Sequence, residues 1–112
     1  MKSILEKIKN NPTEISFQEV ISFIDLNFNF TPTKFTNGYT INEAGQNSGS
    51  CKLFSFAKLN NLNVEETLAC FGDYYRKDVL ENPEGTDHQN IRNFIKYGWE
   101  GIKFESESLL LK

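Results

Sequence analysis

Apolar residues recur at helical spacing through most of the chain and alternate in two short stretches. Residues 2–9 place Ile4, Leu5 and Ile8 on one face, as a short amphipathic helix does. Asn10-Asn11-Pro12 ends it. Ser16 then reads as an N-cap, with Glu19 three residues on to close a capping box. Phe17, Val20, Ile21, Ile24 and Phe28 form the inward stripe of this second helix, which decays before Thr31-Pro32. The stretch from Cys51 to Leu59 is different. Cys51, Leu53, Phe54, Phe56, Ala57 and Leu59 leave only Lys52, Ser55 and Lys58 as a polar strip. A helix so nearly apolar all round must be wrapped by other elements, so residues 50–60 are expected to form the central core helix.

The remaining elements arrange themselves around it. Thr33 to Ile41 carries Asn37-Gly38 between two β-rich runs, the signal of a two-residue type I′ hairpin. Asn63 with Glu66 makes a second capping box. Val64, Leu68, Phe71, Tyr75 and Val79 then mark one face of a helix ending by Asn82-Pro83. Gly72 inside that helix costs roughly 1 kcal/mol against Ala. It implies the close approach of another backbone, and the core helix is the expected one. Thr86 with Gln89 reads as a third capping box, with Ile91, Phe94 and Ile95 facing inward and Gly98 as the stop. Glu100, Ile102 and Phe104 alternate with Gly101, Lys103 and Glu105, which suits a strand. The expectation is an α+β fold of about five helices around the core helix at about 50–60. A small antiparallel sheet joins the hairpin 33–42 to a C-terminal strand at about 101–105. Residues 1–112 form a single domain, with about 106–112 read as a flexible tail.

Composition narrows the function. Ten Phe, four Tyr and one Trp in 112 residues mean an aromatic core. A net charge of −3, with no run of Lys or Arg, removes the basic footprint that nucleic acid requires. No stretch approaches the roughly 20 apolar residues of a membrane span. The N-terminus lacks a signal-peptide core, and two cysteines on separate helices read as reduced thiols, so a cytoplasmic setting is expected. One His and two separated Cys match no metal pattern, and nothing calls for a cofactor.

Several long motifs are idiosyncratic. They are Phe30-Thr31-Pro32-Thr33-Lys34-Phe35-Thr36-Asn37-Gly38, the run Asn42-Glu43-Ala44-Gly45-Gln46-Asn47-Ser48-Gly49-Ser50-Cys51-Lys52, and Thr67-Leu68-Ala69-Cys70-Phe71-Gly72-Asp73-Tyr74-Tyr75-Arg76. Pro83-Glu84-Gly85-Thr86-Asp87-His88-Gln89-Asn90-Ile91-Arg92-Asn93-Phe94 and Lys96-Tyr97-Gly98-Trp99 follow, with Gly101, Ile102 and Phe104 beyond them. Together these motifs resemble the HopJ type III effector family. The resemblance implies a bacterial protein related to effectors delivered by a type III system. A host protein is then the partner if this chain is translocated. It carries over no catalytic residue.

Two candidate sites follow from the residues. Gly49-Ser50-Cys51 with Phe54-Ser55-Phe56-Ala57 looks locally like the nucleophile segment of papain-type proteases, where a helix N-terminus favours a thiolate. Cys51 would be the nucleophile and His88, the one histidine, its base. The bland alternative is a core cysteine. The second constellation, Asp73, Tyr74, Arg76 and Asp78 with Asp87, His88, Asn90, Arg92 and Asn93, reads as a polar cleft completed by Gln46, Asn47 and Ser50 of the preceding loop. There Arg forks and helix N–H groups would bind an anionic or peptidic ligand, although caps and surface ion pairs explain the same residues. Trp99 reads either as an exposed recognition aromatic or as a plug at the end of the core. The expectation is a small ligand- or protein-binding module, with a thiol enzyme as the alternative.

Overall fold

The computed structural model describes residues 2–112, with side chains from Ile4 onward. Helix α1 spans Lys2–Asn10 and α2 spans Phe17–Asn27, joined by a 3-10 turn at Pro12–Glu14. Strands β1 (Phe28–Phe30), β2 (Phe35–Asn37) and β3 (Thr40–Asn42) follow, then α3 (Ser48–Leu59) and α4 (Val64–Ala69). A π-helical segment at Tyr74–Val79 leads to α5 (Gln89–Tyr97), a 3-10 turn at Gly98–Gly101, and strands β4 (Ile102–Phe104) and β5 (Leu109–Leu111). No helix among the described residues is long and apolar enough to cross a membrane.

Helix α3 is the core that its composition requires. Leu53, Phe54, Phe56 and Ala57 are fully buried on it. Phe54 is ringed by Phe35, Phe71, Phe94 and Trp99 at centroid distances of 5.0 to 6.3 Å. Phe23 and Phe28 meet Phe56 edge-on. Offset and edge-on rings gain beyond their area alone, which suits a core made of few large side chains. Trp99 plugs one end, donating from Nε1 to the Leu62 carbonyl at 3.0 Å. Leu59, by contrast, is 56% exposed. The Ser16–Glu19 and Asn63–Glu66 capping boxes form in both directions.

Four local expectations change. The hairpin pairs Asn37 with Thr40, so its two-residue loop is Gly38-Tyr39. Only Gly38 of the pair has positive φ, which makes a type II′ turn, since a type I′ turn needs positive φ at both central residues. The helix expected from Asn63 to Val79 breaks at Gly72, whose φ of +62° no neighbouring residue type would adopt cheaply. The backbone that approaches it is Ser16–Phe17, not the core helix: a Cβ there would lie 2.8 Å from the Phe17 nitrogen. The third capping box does not form. Helix α5 starts at Gln89, and the Gln89 amide donates to the Thr86 carbonyl instead. Residues 109–111, which carry no readable pattern, form β5 against β1, while β4 joins β2 as expected.

Candidate functional site

Helices α3 and α5 begin in the same unusual way. Their N-cap residues, Asn47 (φ 50°, ψ 47°) and His88 (φ 51°, ψ 48°), are both left-handed, and neither caps its helix with a side chain. The first turn bonds are Cys51 N–H to the Asn47 carbonyl and Ile91 N–H to the His88 carbonyl, each 3.0 Å. The N–H groups of Ser48, Gly49, Ser50, Gln89 and Asn90 are engaged by no other group of the described chain. Left-handed backbone at a non-glycine residue costs of order 1 kcal/mol or more and persists only where its surroundings enforce it.

Both helix starts border one cleft of about 370 Å³, whose lining includes Asn47, Ser50, His88, Gln89 and Asn90, with Phe17, Phe71 and Tyr74 opposite. The Ser50 and Tyr74 hydroxyls have no hydrogen-bond partner among the described residues. His88 Nε2 pairs with Asp78 Oδ2 at 3.1 Å, the carboxylate oxygen accepting, and its ring lies 5.2 Å from that of Tyr74. Tyr74 and Asp78 both come from the π-helical segment, an uncommon geometry that recurs at functional sites.

Beneath the cleft lies a net of asparagines. Asn90 Oδ1 accepts from Asn37 Nδ2 (3.1 Å) and Asn42 Nδ2 (3.2 Å), while its own amide donates to Asn42 Oδ1 at 3.0 Å. Asn47 donates to the same oxygen at 2.7 Å. Asn37 is fully buried, and its Oδ1 is left without a partner. Low dielectric strengthens such bonds and makes each missing one expensive, so this net holds the hairpin, the start of α3 and the start of α5 in one arrangement.

The expected site residues divide. Asn47, Ser50, His88 and Asn90 come together at the cleft. Arg76 does not join them as a ligand-binding cation: its guanidinium donates to the Pro12 (3.0 Å) and Ile15 (2.6 Å) carbonyls. Arg92 is likewise spent, bridging the Asp87 and Asn82 carbonyls and the Asp87 carboxylate. That Arg92 bond holds the Asp87 carboxyl below the usual range. Asn93 donates to the Asn37 carbonyl and Thr40 Oγ1, pinning the hairpin. Gln46 accepts from the Glu43 N–H within its loop. Asp73 borders a neighbouring depression.

Cys51 and His88 are not brought together. The Cys51 thiol is buried beside the Thr33 carbonyl at 3.7 Å, and Ser55, one turn on, bonds Ser108. Burial pushes the thiol up despite the hydroxyls of Ser108 and Ser55, and Cys51 is not part of the cleft lining. The expected helix-end activation fails because burial of the sulfur opposes its ionisation. Sequence reasoning missed Asn37 and Asn42. Asn37 shares the inward face of its strand with Phe35, and a polar residue at an inward position was the available signal.

No curated protein matches the chain. Among solved structures, it resembles that of VPA0580, a protein of unknown function, at 51% identity and a TM-score of 0.99, over 100% of this chain and 93% of that one. The family model described as HopJ type III effector protein matches residues 1–109. With the match covering nearly its whole length, the chain belongs to the HopJ type III effector protein family.

Proposed function

We propose that this HopJ-family chain is a binding module whose ligand sits in the cleft between the starts of α3 and α5. The observation that carries the reading is the pairing of two uncapped helix starts around one cavity. Four residues with unengaged N–H groups, Gly49, Ser50, Gln89 and Asn90, and the Ser50 hydroxyl border it, so a ligand rich in hydrogen-bond acceptors, such as a carboxylate or an amide carbonyl, fits best. The aromatic wall of Phe17, Tyr74 and Phe71 supplies the apolar contact that small-ligand sites use for affinity. The backbone strain at Asn47 and His88 supports the same reading, since it aims both helix ends at one space.

A thermal-shift screen of small carboxylates and amides against the wild-type chain and Ser50→Trp tests it. Compounds should stabilise the wild type and lose that effect in Ser50→Trp, where the indole fills the cleft. Equal stabilisation of both proteins, or of neither, contradicts the reading.

A further inference from the structure

The cleft does not end at its aromatic wall. Phe17, Phe71 and Tyr74 also border a second depression of about 410 Å³ on their other side. The rings form a continuous ridge. Phe17 stacks on Phe71 at 5.9 Å and meets Tyr74 edge-on at 5.3 Å, and Tyr74 in turn leans on His88.

The two ends of this surface differ in chemistry. The end between α3 and α5 presents donors: unengaged N–H groups and free hydroxyls. The other end is bordered by the carboxylates of Glu14 and Asp73. Arg76 lies there too, but its guanidinium is committed to the Pro12 and Ile15 carbonyls and sits 3.6 Å from one Asp73 oxygen. Lys77 approaches Asp73 only at 3.9 Å, with both side chains largely exposed, a pairing worth little. Glu14 takes one bond, from the Asn11 amide. Both carboxylates therefore keep accepting capacity for an incoming cation.

We propose that the two depressions are one trough that takes an extended peptide segment containing Lys or Arg. Its carbonyl oxygens meet the starts of α3 and α5, its backbone crosses the Phe17–Tyr74 ridge, and its cationic side chain lies between Glu14 and Asp73. A free polyamine lacks the acceptors that the helix starts need. A nucleic acid would set phosphates against Glu14 and Asp73, and the net charge of −3 opposes its approach. The same charge speeds the encounter with a basic segment. This inference rests on the proposed cleft and adds to it a direction and a charge requirement.

Affinity selection from a random synthetic hexapeptide pool on the full chain, read by mass spectrometry, is the test. Retained peptides should be enriched in Lys or Arg. Acetylating the lysine of a selected peptide should weaken binding about tenfold, and the Glu14→Gln/Asp73→Asn variant should weaken the unmodified peptide by a similar factor. The variant should leave the acetylated peptide's weaker binding unchanged. Selection of peptides without basic residues, no selection at all, or binding indifferent to the double variant overturns the trough. If small carboxylates still bind at the α3–α5 end in any of those cases, the trough fails while the binding-module reading stands.

Discussion

Asn42 and Asn90 exchange side-chain hydrogen bonds in both directions, Asn42 Nδ2 to Asn90 Oδ1 at 3.2 Å and Asn90 Nδ2 to Asn42 Oδ1 at 3.0 Å. This reciprocal pair ties β3 to the first turn of α5 and forms part of the floor of the cleft. Asn90→Ala would leave the buried amides of Asn37 and Asn42 short of partners. The expected cost is about 2–4 kcal/mol, read by denaturant unfolding. Asn90→Asp restores the acceptor for both neighbours but loses the donor to Asn42 Oδ1, and should fall between the two.

Gly72 and Gly45 both have positive φ, at +62° and +91°, yet they should respond differently to alanine. A Cβ on Gly72 meets the Phe17 nitrogen and Ser16 Cα, whereas a Cβ on Gly45 meets open space. Gly45→Ala should cost only the local strain, about 1 kcal/mol. Gly72→Ala adds a backbone clash that must push α2 away, so a loss of more than about 2 kcal/mol is expected. Equal midpoints in urea would contradict the packing of Ser16 on Gly72.

These positions show what can be read without coordinates. The all-round apolarity of residues 51–59 predicted a core helix because burial is the only stable fate of such a surface. The Ser16 and Asn63 caps were legible because they depend on residues three apart. The break at Gly72 was not, since the backbone that demands it lies more than fifty residues away in the chain. The same holds for β5. Its partner β1 is about eighty residues distant, and Leu109-Leu110-Leu111 has no alternation to betray a strand. Of the residues bordering the cleft, Asn47, Ser50, Tyr74, His88 and Asn90 are polar positions that the sequence offers as candidates, whereas the buried Asn37 and Asn42 beneath it carry no such mark. Both arginines were misjudged because carbonyl acceptors leave no mark in a sequence.

In β5, neighbouring leucines should separate cleanly. Leu109 is 4% exposed and packs in the core cluster, while Leu110 is 58% exposed. Leu109→Ala is expected to cost about 2–4 kcal/mol and Leu110→Ala less than about 0.5 kcal/mol, measured by thermal unfolding.

Both thiols should behave as core groups. Burial raises Cys51, and burial with the nearby Glu66 charge pushes Cys70 up to about 12. A thiol whose pKa is raised on folding stabilises the protein fully below its unfolded value and loses that contribution as pH climbs through the folded value. Stability should therefore fall from about pH 9 toward pH 12, and alkylation of either cysteine at pH 8 should proceed only at the rate of unfolding. Rapid labelling of Cys51 in the folded chain would restore the thiol-site alternative.

Glu19 shifts the other way. Burial opposes its ionisation, but the Ser16 N–H and the Lys7 ammonium outweigh it and hold the carboxyl below its usual range. Its contribution is present above the unfolded pKa and is lost as pH falls through the folded one. Glu19→Gln should be less stable than the wild type at pH 7 by no more than about 1 kcal/mol, and the gap should close in acid.

The most direct test of the binding site is amide-resolved NMR of the isotopically labelled chain, titrated with the small carboxylates that stabilise it. The account predicts shifts clustered at Ser48, Gly49, Ser50, Gln89 and Asn90. A second cavity of about 500 Å³, bordered by Ser55, Leu59, Phe104, Ser106 and Ser108, provides the contrast. Shifts confined to those residues, with the starts of α3 and α5 unmoved, would contradict the placement of the ligand.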